Sequence, residues 1–222
     1  MTVVHETAYN FPVPAAARLA SLIGMRSDLV QVIAYCEVMI KRYASAELKQ
    51  TPFDIVGFTT PIDISDWEGL STAACISYAR CFPPGIRGSL DPDLLSTADT
   101  ELQTLHEFVL DLRNKHIAHS VNSFEENVVT VHIGEHFQSS QEIETVTAYH
   151  TRVAGLSIGQ PAQLTRLAQW WVARTDEEMT VQRAKLLQIA RGTPLSELKA
   201  QGRPGPTPAH SQGDVGKRRR YP

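Results

Sequence analysis

The chain has 222 residues, 42% of them hydrophobic and 20% charged, the make-up of an ordinary globular protein with length for a substantial core. No uninterrupted apolar run reaches the roughly 18 residues of a membrane span, and the start, MTVVHETAYNFPVPAAARL, lacks the basic-then-apolar order of a secretory signal. Six of the 21 basic and two of the 24 acidic residues lie from Ser196 onward, leaving 15 basic and 22 acidic before it, a net of −7. An acidic body argues against a non-specific nucleic-acid coat protein, so any contact with nucleic acid has to be local. The three cysteines, Cys36, Cys75 and Cys81, are odd in number and widely spaced. They read as buried free thiols of a cytoplasmic protein rather than as a disulfide or metal set.

In chain order, residues 15–46 read as one long helix. Leu22, Met25, Leu29, Val32, Cys36, Met39 and Tyr43 alternate spacings of three and four, which is one stripe of a helix. Ile33 and Ile40 widen it. The segment 51–64, with two prolines and a glycine, is expected to be irregular. Ser65-Asp66-Trp67-Glu68 is a capping-box pattern that opens a second helix. Trp67, Leu70, Ala74, Tyr78 and Cys81 form its face, and Pro83-Pro84-Gly85 ends it.

After a polar connection over 85–95, a third helix is expected from Ser96 or Thr97. Its stripe is Leu102, Leu105, Val109 and Leu112, and the same rhythm continues into His116 and His119. The sequence then changes period. Asn127–Ile133 and Glu144–Val153 are rich in valine and threonine, as a two-stranded hairpin is. Gly159-Gln160-Pro161 restarts a helix. Leu164, Leu167, Trp171, Leu186 and Ile189 can share one face of it, with the polar stretch 174–180 as a candidate break. Pro194 interrupts, Leu195–Ala200 adds a short helix, and the proline- and glycine-rich residues 201–222 read as a disordered basic tail. The expected architecture is thus mainly α: a helical domain over 1–200 with an inserted β-hairpin near 127–153, then the tail.

Leu112-Arg113-Asn114-Lys115-His116-Ile117-Ala118-His119-Ser120 carries the chemistry. A guanidinium presents a fixed fork of donors that matches a phosphate, and an imidazole trades protons near neutral pH. The bland alternative is that Arg113 pairs with Asp111, Glu107 or a carboxylate of another helix, while the histidines pack. His116 and His119 have the spacing of a metal pair on a helix, but no acidic or thiol partner with ligand spacing accompanies them. His132-Ile133-Gly134-Glu135-His136 matches a metalloprotease string that requires a helix, yet it follows a β-branched run. Lys217-Arg218-Arg219-Arg220 is a basic cluster within the tail.

The run LRNKHIAHS resembles the HEPN superfamily, especially its abortive-infection-like and toxin-like prokaryotic members. Their signature is an arginine, a polar residue after it, and a histidine after four to six intervening positions. Arg113, Asn114 and His119 fit, with five residues between arginine and histidine. The resemblance implies a helical bundle and a homodimer whose motifs face one cleft. It also implies a metal-independent endoribonuclease of a toxin–antitoxin or phage-defence system, with RNA as substrate and an antitoxin protein as partner. Arg113, Asn114 and His119 would be catalytic, with His116 and Arg80 as substrate contacts. No cofactor, metal or membrane is implied. Other members of the superfamily are non-catalytic, so a nucleotide- or protein-binding dimerisation module is the alternative, and a purely structural helical protein is a third. At about 100° per residue, Arg113 and His119 point about 120° apart on an ideal helix and Arg113 and His116 about 60°. The arginine and His119 therefore meet through a loosened turn or across a two-fold axis.

Overall fold

The three-and-four rhythm of the first stripe has its counterpart in a computed structural model of the chain. The structure describes residues 9, 11, 13–43, 61–83, 88–117, 125–135, 141–152 and 155–201. Helix α1 spans Ala16–Tyr43, and Leu22, Met25, Leu29, Val32, Cys36 and Met39 on it are fully buried. Ile33 is half-buried and Ile40 exposed, so the buried stripe is narrower than the sequence suggests. By length and composition Ala16–Arg42 is apolar enough to cross a membrane, but its buried stripe faces protein.

Helix α2 runs Pro61–Ala79, one turn earlier than the capping box indicates. Proline tolerates the first helical position because its missing N–H has no partner there anyway, and Ser65 and Glu68 fall inside the helix. The following connection is not merely polar. Leu90 and Leu95 are buried, and a 3₁₀ turn covers Pro92–Thr97. The Ser96 and Thr97 hydroxyls donate to the carbonyls of Asp93 and Leu94 at 2.7 and 2.8 Å. That use of the hydroxyls closes the 3₁₀ turn and moves the start of α3 to Thr100–Asp111, with Asp99 as N-cap. Leu112–Ile117 continues as a single π-helical turn.

Strands β1 (Glu125–Glu135) and β2 (Gln141–Arg152) form an antiparallel hairpin. Its register slips once: His132 faces Thr145 but Ile133 faces Ile143, leaving Glu144 as the extra residue of a bulge. Helix α4 spans Gln160–Gly192 without a break, and α5 follows at Leu195–Gln201. The described residues are therefore mainly α with one small two-stranded antiparallel sheet. The tail from 202 lies outside the described residues.

The chain divides into two compact units. The first comprises residues 1–30, 80–92 and 169–222. Its core holds Leu22, Met25, Leu29, Cys81, Leu90, Trp171, Met179 and Leu186, with Phe82 edge-on to Trp171 at 5.3 Å between ring centres. Here the polar stretch of α4 finds its purpose. Glu178 accepts a bidentate pair from Arg18 at 2.6 and 2.7 Å, and Asp176 accepts from Arg26 at 2.6 and 3.2 Å. Arg18 also donates to the Ser89 carbonyl. The hydrogen bond from Arg18 to Glu178 raises the guanidinium's pKa against the cost of its partial burial. Residues that look like a helix break in sequence are thus the partners of α1. Ile189, placed on the apolar face by its spacing, is exposed.

The second unit comprises residues 31–79 and 93–168. Its core holds Val32, Cys36, Met39, Trp67, Ala74, Cys75, Tyr78, Leu102, Leu105, Val109, Leu112, Leu156, Leu164 and Leu167. The Trp67 indole N–H donates to the Leu156 carbonyl at 2.7 Å. Gly155 beside it has φ +106°, a conformation suited to glycine.

Candidate functional site

The end of α3 is fixed by its apolar stripe: Leu102, Leu105, Val109 and Leu112 are all buried. The π turn then adds a residue to the last loop of helix, because its hydrogen bonds run from i to i+5. The Leu112 N–H reaches the carbonyls of both Phe108 and Val109. The helix therefore widens without breaking, and the residues after buried Leu112 come to the surface. Arg113, Asn114 and Lys115 are all exposed.

Arg113 Nη1–H donates to Asn114 Oδ1 at 2.8 Å. Lys115 takes Asp111 at 2.7 Å, one helical turn back. Among the described residues Arg113 meets no carboxylate, neither Asp111 nor Glu107, so the bland pairing is not what these residues do. Elsewhere Arg18, Arg26, Arg42, Arg166 and Arg174 each reach a carboxylate. One Arg113 donor is used by Asn114, and the residue is exposed.

The other sequence candidates divide. His116 lies in the π turn, and its side chain is outside the described part. His119 lies outside the described residues altogether. The α-helical relation between Arg113 and His116 does not hold, because Leu112–Ile117 is π-helical rather than α-helical. Arg80 is exposed at the end of α2 and approaches Asp28 Oδ1 at 3.8 Å. That contact lies within the first compact unit, whereas Arg113 and Asn114 belong to the second. Among the described residues no cluster of histidine, cysteine and carboxylate side chains has metal-binding geometry. The string His132–Glu135 lies on β1 and has no helix to gather its ligands.

One histidine outside the LRNKHIAHS run also has a defined partner. His106, on α3, is 7% exposed, and its Nδ1 lies 2.7 Å from the Tyr78 hydroxyl. The rings meet edge to face. Its position beside Leu105 on the stripe was the available signal. Burial lowers its pKa from 6.5 to about 4, so at neutral pH it is a neutral core group. This carries a sign. Between about pH 4 and 6.5 the unfolded chain binds a proton at this residue that the folded chain refuses, so stability rises with pH there. Denaturant unfolding should lose on the order of 3 kcal/mol through His106 as pH falls across that window. His106→Phe should flatten this slope. An unchanged slope in the variant would show that other groups carry the acid sensitivity.

No protein-family model matches the chain, and no curated protein or solved structure matches it.

Proposed function

We propose that the protein is a metal-independent endoribonuclease of a prokaryotic toxin–antitoxin or phage-defence system, with its chemistry at the end of α3. The observation that carries this reading is the exposed guanidinium of Arg113, held by Asn114 and reaching no carboxylate among the described residues. A solvent-facing arginine fork suits a phosphate oxygen pair. The π turn beneath it supports the same reading, since such turns recur at functional sites.

In the proposed reaction the RNA 2′-hydroxyl attacks the adjacent phosphorus. Its proton passes to a base, the P–O bond to the 5′ oxygen breaks, and that oxygen leaves as a hydroxyl after receiving a proton. The products are a 2′,3′-cyclic phosphate and a free 5′-hydroxyl. His119 moves the proton as base or acid. Arg113 stabilises charge developing on the non-bridging oxygens. Asn114 orients the guanidinium through the bond already present, with His116 as a further substrate contact. A second copy of the chain completes the site across a two-fold axis, and an antitoxin protein restrains it. The reading is tested with an oligoribonucleotide carrying one 2′-deoxy position at a mapped cleavage site. Cleavage there should disappear while other sites are still cut. Equal cleavage at the deoxy position would overturn the reading.

One observation favours a second reading, a non-catalytic module of the same family. The described part of the site holds only anion-gripping groups, Arg113 and Asn114. Tight nucleotide binding with intact RNA would favour that module.

A further inference from the structure

The hairpin carries an apolar face that no other described residue covers. Alternate residues of a strand point to opposite faces, so Val129, Val131 and Ile133 share one face of β1. Opposite them stand Ala148, Val146 and Ile143. The bulge is what completes this face. Without the bulge, the alternation 148, 146, 144 would set Glu144 against Ile133; with it, Glu144 is skipped and Ile143 takes that row. Val129, Val131, Ile133, Ile143 and Val146 are each between 51% and 71% exposed. The opposite face holds Val128 with Thr130, His132, Thr145 and Thr147. An isolated two-stranded hairpin is marginal in water unless its apolar face packs on something.

We infer that this face is covered by the same face of a second copy of the chain, the two hairpins packing about a two-fold axis that exchanges β1 and β2. Rotation about an axis parallel to the strands lays β1 of one copy over β2 of the other without moving the rows. Each row then meets its own partner residue. Val131 lies over Val146 of the copy and Ile133 over Ile143, like on like, and Val129 lies over the smaller Ala148. The charges agree with the same operation. The register pairs Glu125 with Arg152 in one end row and Glu135 with Gln141 in the other. Exchange therefore sets each glutamate position over an arginine or glutamine position of the copy, never over a glutamate. Such packing is the aligned, roughly 10 Å arrangement of stacked sheets, with an apolar centre and a polar rim. Three apolar rows fall short of the roughly 800 Å² per partner of a standard interface, so a dissociation constant of about 1–100 µM is expected. The inference does not depend on RNA cleavage.

The test combines mass with local protection in the full chain. Sedimentation should show twice the 24.6 kDa of one chain as concentration rises through that range. Val131→Cys places a thiol at the centre of the face and Thr130→Cys one on the opposite face. The native thiols stay silent, since Cys36, Cys75 and Cys81 are buried and burial pushes Cys36 and Cys75 up to about 12. Maleimide labelling of Val131→Cys should slow about tenfold or more once the chain is mostly dimeric, while Thr130→Cys labelling is unchanged. A monomer at every concentration up to several times the expected dissociation constant overturns the inference. So does a dimer in which Val131→Cys labels as fast as Thr130→Cys, because the hairpin face is then not what the copies bury.

Discussion

Arg113→Ala should lower RNA cleavage by on the order of a hundredfold or more while leaving the melting temperature within about 2 °C of wild type. The two halves of that expectation have separate causes. The guanidinium is exposed and makes its one described hydrogen bond to exposed Asn114, and substitutions at such surface positions usually change stability by less than about 0.5 kcal/mol. Charge developing on phosphoryl oxygens, by contrast, is stabilised only by donors already aimed at it. His119→Ala should cause a similar loss by removing the proton carrier. Lys115→Ala should matter far less, because Lys115 is occupied by Asp111 on the helix surface. If Arg113→Ala unfolds the protein instead, the residue is structural.

Gly155→Ala should destabilise the second unit by roughly 3 kcal/mol, through two independent penalties. The backbone there has φ +106°, and a Cβ built on it would stand 2.5 Å from the Ser71 Cβ and 2.9 Å from its Oγ. Ser71 is fully buried on α2, so neither atom can swing into solvent. The next residue's carbonyl receives the Trp67 indole N–H, so a shift of this segment would also loosen that bond. Adding Ser71→Gly to Gly155→Ala removes the collision but not the backbone strain. The double variant should therefore recover part of the loss in a urea titration. No recovery would mean that strain alone sets the cost.

The parts of the fold legible in the sequence are those governed by local periodicity. The buried positions of α1 and α3 follow the three-and-four rhythm because an α-helix repeats that way whatever it packs against. The hairpin shows in its valines and threonines for the same kind of reason, although the bulge at Glu144 does not. A register slip depends on what each row must match across the pair. The continuity of α4 through 174–180 was hidden because its acids are stabilised by Arg18 and Arg26, about 150 residues earlier in the chain. The start of α2 at Pro61 rather than at the capping box shows that a capping pattern can sit inside a helix.

The candidate site was half legible. Residue types gave Arg113 and Asn114, and the structure sets them side by side on the surface. The π turn was not readable, because one extra residue in a helical turn leaves composition and spacing intact. The role of His106 was not legible because its partner, Tyr78, lies on another helix, and no local spacing marks such a pair.

The central claim is tested most directly by incubating purified wild-type protein with mixed single-stranded RNAs in excess chelator and identifying the new ends. Cleavage should proceed undiminished by the chelator and leave 2′,3′-cyclic phosphate and 5′-hydroxyl termini. RNAs that remain intact at enzyme concentrations above those at which the chain binds them, or cleavage that stops when metal is removed, would contradict it.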